Sequence, residues 1–258
     1  MATNSTQPEL VVIVGPTASG KSELAMKIAR AFNGEIISAD SRAIYKGMDV
    51  GTAKPSTQDR QTVKHWGLDL ITPDQKYSAK QFKDYAVQAI KDIQSRHKLP
   101  ILVGGTGLYA DSVIFEYDFN SSKETNPINP RHRLKSGSSK KLPPSKTLIV
   151  GLDPGKELLV QRIEKRADSL LKTGVIVETR DLVSIYGSEL ESFKAPAYVA
   201  ALSHLKQGTD LNEVKKIIIQ GDLKLAKKQR TWFKRNSSIQ WFGRVEEAEQ
   251  YIAQALNT

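Results

Sequence analysis

The sequence of 258 residues contains no cysteine. Disulfide bonds, thiolate metal sites and cysteine nucleophiles are therefore excluded. Long hydrophobic runs are missing as well, and no apolar stretch approaches the length that a membrane span needs. The first residues, Met1 to Leu10, are polar and lack the basic and then apolar profile of a signal peptide. These absences predict a soluble, cytoplasmic protein that does not enter a membrane.

Acidic residues are fewer than basic ones. The 38 lysines and arginines outnumber the 28 aspartates and glutamates, which gives a formal net charge of +10. A surplus of this size attracts polyanions, and nucleic acid is the commonest of these. Many basic proteins bind no nucleic acid, so the charge by itself does not define a partner.

Candidate strands alternate with candidate helices along the chain. A continuous apolar run, typical of a strand that is covered on both faces, occurs at Leu10–Val14, and further strands are predicted at Glu35–Ser38, Pro100–Val103 and Thr147–Leu152. Apolar residues at helical spacing predict helices at Lys21–Phe32, Ala79–Arg96, Lys156–Thr173, Val175–Tyr186 and, rich in basic residues, Leu223–Arg235. The pattern predicts an α/β fold, a P-loop NTPase-like parallel sheet flanked by helices, with a basic C-terminal helical part.

The composition changes between residues 120 and 146, which are rich in Ser, Pro, Asn and Lys. From Arg131 to Lys146 this segment carries six lysines and arginines and no acid. We interpret it as a flexible basic connection, for which a solvated linker is the simplest role. Residues 1–119 and 147–258 would then form the folded core.

A phosphate-binding pattern follows the first strand. Its residues are Gly15, Pro16, Thr17, Ala18, Ser19, Gly20, Lys21 and Ser22. The spacing G-x4-G-K-S, between a strand and a helix, lets backbone N–H groups point at phosphate oxygens beside a helix N-terminus. Lys21 is expected to neutralise the far phosphate, and Ser22 to offer its hydroxyl to Mg²⁺.

The second acid of a P-loop NTPase is missing from its usual place. The strand Pro100–Val103 ends in Gly104 and Gly105 and offers no carboxylate to a magnesium ion. Asp40 follows the second strand instead. A carboxylate there is placed to accept a proton from a nucleophile that attacks at the phosphate site. The alternative interpretation is that Asp40 only caps the segment that follows.

The chain resembles the tRNA dimethylallyltransferases, which attach a five-carbon prenyl group to N6 of the adenosine 3′ of the anticodon. The matching stretches are Gly15–Ser22, Glu35–Arg42, Tyr45–Pro55, Leu99–Tyr109 and Ala226–Arg235. They occur in the family's order and reach both ends of the chain. Two of the short sequence motifs they contain, Gly-Thr-Ala-Lys-Pro and Gly-Gly-Thr-Gly-Leu-Tyr, are uncommon outside this family.

The resemblance implies that the phosphate loop holds dimethylallyl diphosphate, whose diphosphate is a leaving group. Lys21, the loop amides and Mg²⁺ would stabilise its developing charge, with similar help from Arg42. Asp40 would accept the proton of the adenine amine. Thr17 would lie in the substrate-facing part of the loop, and Thr106 matches a position that contacts tRNA.

The tRNA itself is expected to meet two groups of residues. One is the turn that the resemblance points to, made of Asp40, Ser41, Arg42 and Ala43. The other is one face of the last basic helix, where helical spacing gathers Lys224, Lys227, Lys228 and Arg235. A solvated basic face is the alternative for this helix. We expect the protein to act as a monomer.

The chain departs from the family at four places. Ala43 stands where Gln is usual, Val199 where a basic residue is usual, and Asp222-Leu223 where Thr-Arg is usual. A helical insertion expected between Tyr117 and Thr147 is replaced by the short basic segment. Two alternatives therefore stay open: a cytokinin-type adenylate isopentenyltransferase that uses a free nucleotide, and a catalytically weakened RNA-binding homologue. A small-molecule P-loop kinase is disfavoured by the missing acid.

Overall fold

The computed structural model describes residues 7–117, 119 and 146–257. Its strands are β1 Leu10–Val14, β2 Gly34–Ser38, β3 His65–Trp66, β4 Leu99–Gly104, β5 Thr147–Leu152 and β6 Gln240–Phe242. They form a six-stranded sheet in the order β3-β2-β4-β1-β5-β6, and every pair is parallel. The predicted parallel α/β fold is confirmed.

Helices cover both faces of the sheet and extend beyond it. They are α1 Lys21–Ala31, α2 Thr57–Thr62, α3 Ala79–Ser95, α4 Gly107–Ile114, α5 Lys156–Thr173, α6 Val175–Tyr186, α7 Pro196–Gln207, α8 Leu211–Phe233 and α9 Val245–Leu256. A 3₁₀ helix at Glu191–Lys194 precedes α7. The predicted basic helix is part of α8, which begins twelve residues earlier than expected. Among the described helices, none combines the length and apolar character of a membrane span.

The apolar run of β1 is explained by its position inside the sheet. Val12 and Val14 pack on one face in a cluster that includes Phe82 of α3. Val11 and Ile13 pack on the opposite face with residues of α1 and α9. Successive side chains of a strand point to opposite faces, so a strand covered on both sides needs apolar residues throughout.

A second helical layer reaches the phosphate loop. Helices α5, α6, α7 and α8 bury a cluster of their own, which contains Leu170, Val175, Ala200 and Ile218. A smaller cluster joins α5 and α8 to Ala18 of the phosphate loop. The C-terminal helices therefore pack directly on the loop that the first strand presents.

The predicted basic connection is only partly visible. Its residues 120–145 lie outside the described part of the chain, so the prediction of flexibility stays a prediction. Lys146, the last residue assigned to it, belongs to the folded core. Its carbonyl accepts the N–H of Glu9 at 2.8 Å, and its ammonium pairs with the carboxylate of the same residue.

Candidate active site

Three turns meet where β1, β2 and β4 end. Because β4 lies between β2 and β1, their carboxyl ends share one edge of the sheet. The N–H of Ala39 donates to the carbonyl of Val103 at 2.7 Å, and the N–H of Thr106 donates to the carbonyl of Ala39 at 3.2 Å. Backbone hydrogen bonds thus join the turn carrying Asp40 to the Gly104–Thr106 turn.

The phosphate loop is tightly wound and enclosed by its neighbours. At Gly15 φ is +146°, and a Cβ there would lie 2.3 Å from the carbonyl oxygen of Leu152, so only glycine fits. Nζ of Lys21 donates to the carbonyl of Pro16 at 2.5 Å and lies 3.5 Å from Oγ of Ser19. The lysine ammonium therefore lies over the loop, where a phosphate would contact it.

Burial lowers the pKa of Lys21 to about 8. The neighbouring charges act in opposite directions on this pKa, since Asp40 raises it and Arg166 lowers it. Both groups therefore act electrostatically on the lysine within one site. A bound diphosphate would favour the protonated ammonium, because an adjacent negative charge raises the pKa of a cation.

The turn after β2 holds its carboxylate by a local hydrogen bond. Oδ1 of Asp40 accepts the N–H of Arg42 at 2.8 Å. One oxygen of the carboxylate thus binds the backbone of the segment that follows, as the capping interpretation predicts. The N–H of Ser41 donates to Oγ1 of Thr106 at 3.0 Å, and the two hydroxyls lie 3.2 Å apart. The predicted residues Asp40, Ser41 and Thr106 are therefore brought together.

The guanidinium of Arg42 is held by the 3₁₀ helix, where its NH1 donates to the carbonyl of Glu191 at 2.8 Å. Its expected contact with a diphosphate stays a prediction. Two arginines of α5, which the motifs did not reveal, lie near the phosphate loop. NH1 of Arg162 donates to the carbonyl of Ser19 at 3.0 Å. One helical turn later, Arg166 acts on Lys21 and lies 3.4 Å from the buried carboxylate of Asp222.

The predicted basic face of α8 is at the surface. Lys224, Lys227 and Lys228 are exposed, whereas Asp222, Ala226 and Phe233 on the other side are buried. The exposed basic surface is confirmed, and its contact with tRNA stays a prediction. Arg235 is exposed too, but it lies two residues past the end of α8, with its guanidinium 5.8 Å from the ring centre of Trp232.

The two departures at positions 43 and 199 occupy different environments. Ala43 is buried, so its side chain is not available to a polyanion at the surface. Val199 is 46% exposed on α7. An apolar side chain therefore stands at the surface where the resemblance implies a basic residue.

Two side chains fix the loop that carries the Gly-Thr-Ala-Lys-Pro stretch. Glu178 of α6 accepts the N–H groups of Asp49, Val50 and Gly51 at 2.9, 2.6 and 2.9 Å. The side chain of Lys54 is almost fully buried and donates to the carbonyl of Tyr45 at 2.6 Å, with further ion pairs to two aspartates. The Gly-Thr-Ala-Lys-Pro stretch therefore belongs to a loop whose conformation is fixed by Glu178 and Lys54. The sequence did not indicate Glu178 because this residue lies far from the loop along the chain.

A magnesium ion would depend on the substrate for most of its ligands. Within the described residues, no group of three or more His, Cys, Asp or Glu side chains is arranged to hold a metal. Ser22 is exposed in the first turn of α1, directly after the phosphate loop. Mg²⁺ commonly takes one or two protein oxygens and completes its shell with phosphate oxygens and water. Ser22 fits that mode of binding.

A parallel sheet whose first strand leads into a lysine-containing glycine loop defines a P-loop α/β protein. A family model described as IPP transferase matches residues 43–142 and 127–236. The tRNA dimethylallyltransferase of Staphylococcus epidermidis is 32% identical, with 99% of this chain and 93% of the relative covered. That of Acetivibrio thermocellus is 34% identical, with 92% of each covered. The chain belongs to the IPP transferase family.

A solved structure agrees with this assignment. The crystal structure of tRNA delta(2)-isopentenylpyrophosphate transferase from Staphylococcus epidermidis has a TM-score of 0.81 at 32% identity, covering 97% of this chain and 99% of that one. The sequence alignment with the relative from this organism extends over 308 residues, although this chain has 258. At least 50 residues of the alignment therefore have no counterpart here.

Proposed function

We propose that this protein transfers a dimethylallyl group from dimethylallyl diphosphate to N6 of the adenosine 3′ of the anticodon in tRNA. The observation that carries the proposal is the placement of Asp40 beside a complete phosphate loop. Asp40 acts electrostatically on Lys21, and its turn is bonded to the Gly104–Thr106 turn. The names of the relatives, tRNA dimethylallyltransferase, support tRNA as the acceptor.

In the proposed reaction the carbon–oxygen bond to the diphosphate breaks, and the bond between adenine N6 and that carbon forms. The diphosphate leaves with the electron pair, while the loop amides and Lys21 stabilise its charge. One N6 proton passes to the carboxylate of Asp40. Oδ1 of Asp40 already accepts the N–H of Arg42, which fixes the orientation of the carboxylate.

Mg²⁺ would neutralise further charge on the diphosphate when it is bound, with Ser22 as its protein ligand. We propose a monomer as the active unit. A tRNA acceptor also supports activity in the cytoplasm. An adenine that stacks in the anticodon loop would have to leave its stack to reach Asp40.

Charge favours tRNA over a free nucleotide as acceptor. Lys224, Lys227 and Lys228 form an exposed basic surface on α8 that a mononucleotide would not need. Gln229 and Trp232 of the same helix contact the phosphate loop and α4 respectively. The basic surface therefore lies on an element that is anchored at the site.

The test offers the protein labelled dimethylallyl diphosphate with either an unmodified tRNA transcript or AMP. We expect label in the tRNA only, and none in a matched transcript with guanosine in place of the adenosine 3′ of the anticodon. Label in AMP would support the nucleotide-specific alternative. Binding of tRNA without transfer of label would support the catalytically weakened homologue.

A further inference from the structure

Helix α8 inserts one amide side chain between two turns of the site. Oε1 of Gln229 accepts the N–H of Thr17 in the phosphate loop at 2.7 Å. On its other side, a Cβ at Gly105 would lie 2.2 Å from Nε2 of Gln229. The glycine thus leaves the space that this amide fills. A single side chain therefore contacts both the turn after β1 and the turn after β4.

The helix that carries Gln229 is also fixed to helix α4. One turn further along, Nε1 of Trp232 donates to Oδ2 of Asp111 in α4 at 2.7 Å, and its indole packs against Gly107. Helix α4 begins directly after Thr106. Gln229 of α8 therefore contacts both turns, and Trp232 holds α4, while the same helix presents the exposed lysines Lys224, Lys227 and Lys228.

The contact falls on a part of the loop that is conformationally unfavourable by itself. Ala18, directly after Thr17, has φ +60°, a left-handed conformation that a residue with a side chain rarely adopts. Such a conformation persists when surrounding contacts determine it. The hydrogen bond from Thr17 to Gln229 is one such contact, and without it a partly buried N–H would lose its partner.

We propose that Gln229 is a positioning residue, which holds Thr17 and the phosphate loop in register with the Gly104–Thr106 turn. Through this contact, the donor diphosphate and the acceptor base are aligned by the helix that carries the basic face. The proposed alignment of the base rests on the proposed function. The proposed positioning of the phosphate loop applies to any diphosphate that binds there.

The test compares two substitutions that separate shape from hydrogen bonding. Gln229→Met keeps length and volume but removes the acceptor oxygen, and Gln229→Glu keeps an acceptor oxygen for Thr17. We expect Gln229→Met to weaken binding of inorganic pyrophosphate and to lower kcat for prenyl transfer, each about tenfold. We expect Gln229→Glu to keep kcat within about threefold while KM for dimethylallyl diphosphate rises, because a carboxylate then faces the anion.

The matched control is Gln220→Met, the same substitution at an exposed position of α8. We expect this variant to match the wild type in pyrophosphate affinity and in kcat, and all variants to melt within a few degrees of it. Unchanged pyrophosphate affinity and kcat in Gln229→Met would overturn the inference, as would a loss of kcat in Gln229→Glu equal to that in Gln229→Met. A wild type that transfers nothing to tRNA would contradict the proposed function, and the pyrophosphate titration would still decide the role of Gln229.

Discussion

The donor half of the site and the basic face are built by different kinds of interaction. The donor half comprises the phosphate loop Gly15–Ser22 and the turns Asp40–Arg42 and Gly104–Thr106. Hydrogen bonds join the two turns to each other, and the side chain of Gln229 links the phosphate loop to the Gly104–Thr106 turn. The basic face consists of Lys224, Lys227 and Lys228, which are exposed and form no ion pair with any described acid. Donor binding should therefore depend on local geometry, and acceptor binding on charge acting over distance.

The largest effect is expected from the donor half. Lys21→Ala removes the ammonium that covers the phosphate loop, where Nζ lies 2.5 Å from the carbonyl of Pro16. We expect prenyl transfer to fall about 10³-fold, since a preorganised group that stabilises transition-state charge is lost. Affinity for tRNA, measured by filter binding, should change little. An equal loss of tRNA affinity would contradict the separation of the two regions.

The loop that contains Asp49, Val50 and Gly51 should matter more for the stability of the fold than for catalysis. Glu178→Ala leaves the N–H groups of Asp49, Val50 and Gly51 without their acceptor and removes the partner of the Tyr198 hydroxyl at 2.6 Å. We expect the free energy of unfolding to fall by about 2 kcal/mol, measured by denaturant titration. Glu213→Ala, at an exposed site on α8, is the control and should stay close to the wild type. Equal stability of both variants would refute the anchoring role.

Substitutions in the basic face should affect only the binding of tRNA. The combined variant Lys224→Ala, Lys227→Ala and Lys228→Ala is expected to raise KM for tRNA about tenfold and to reduce the salt dependence of binding. Its affinity for pyrophosphate should equal that of the wild type, because these lysines are exposed on the outer side of α8. An unchanged KM for tRNA at physiological salt would favour the alternative of a solvated face.

A smaller effect is expected from pH. Burial lowers the pKa of Lys21 to about 8, so the ammonium is protonated below that pH and loses its charge above it. Affinity for pyrophosphate should therefore weaken several-fold as the pH rises from about 7 to about 9, because Lys21 must then take up a proton when the anion binds. Titration calorimetry across that range checks the sign. Tighter binding at the higher pH would contradict it.

Local patterns predicted most of the donor half and much less of what supports it. The phosphate loop and Asp40 each follow a buried strand of five residues, which composition and spacing reveal. The strands β3 and β6 were missed because they are two and three residues long. Gln229 lies 212 residues from Thr17, so no local spacing indicates their contact. The resemblance assigns Arg42 to the diphosphate, and its hydrogen bond to the carbonyl of Glu191, 149 residues away, has no local signal in the sequence either.

The most direct test of the account concerns Asp40. The variant Asp40→Asn keeps the oxygen that can accept the N–H of Arg42 but cannot take a proton from the adenine amine. Measured side by side at about pH 7, where Lys21 keeps its proton, its affinity for pyrophosphate should change little, and its transfer of label to tRNA should fall by about 10²- to 10⁴-fold. Undiminished transfer by Asp40→Asn would contradict the role of Asp40 as the acceptor of the adenine proton.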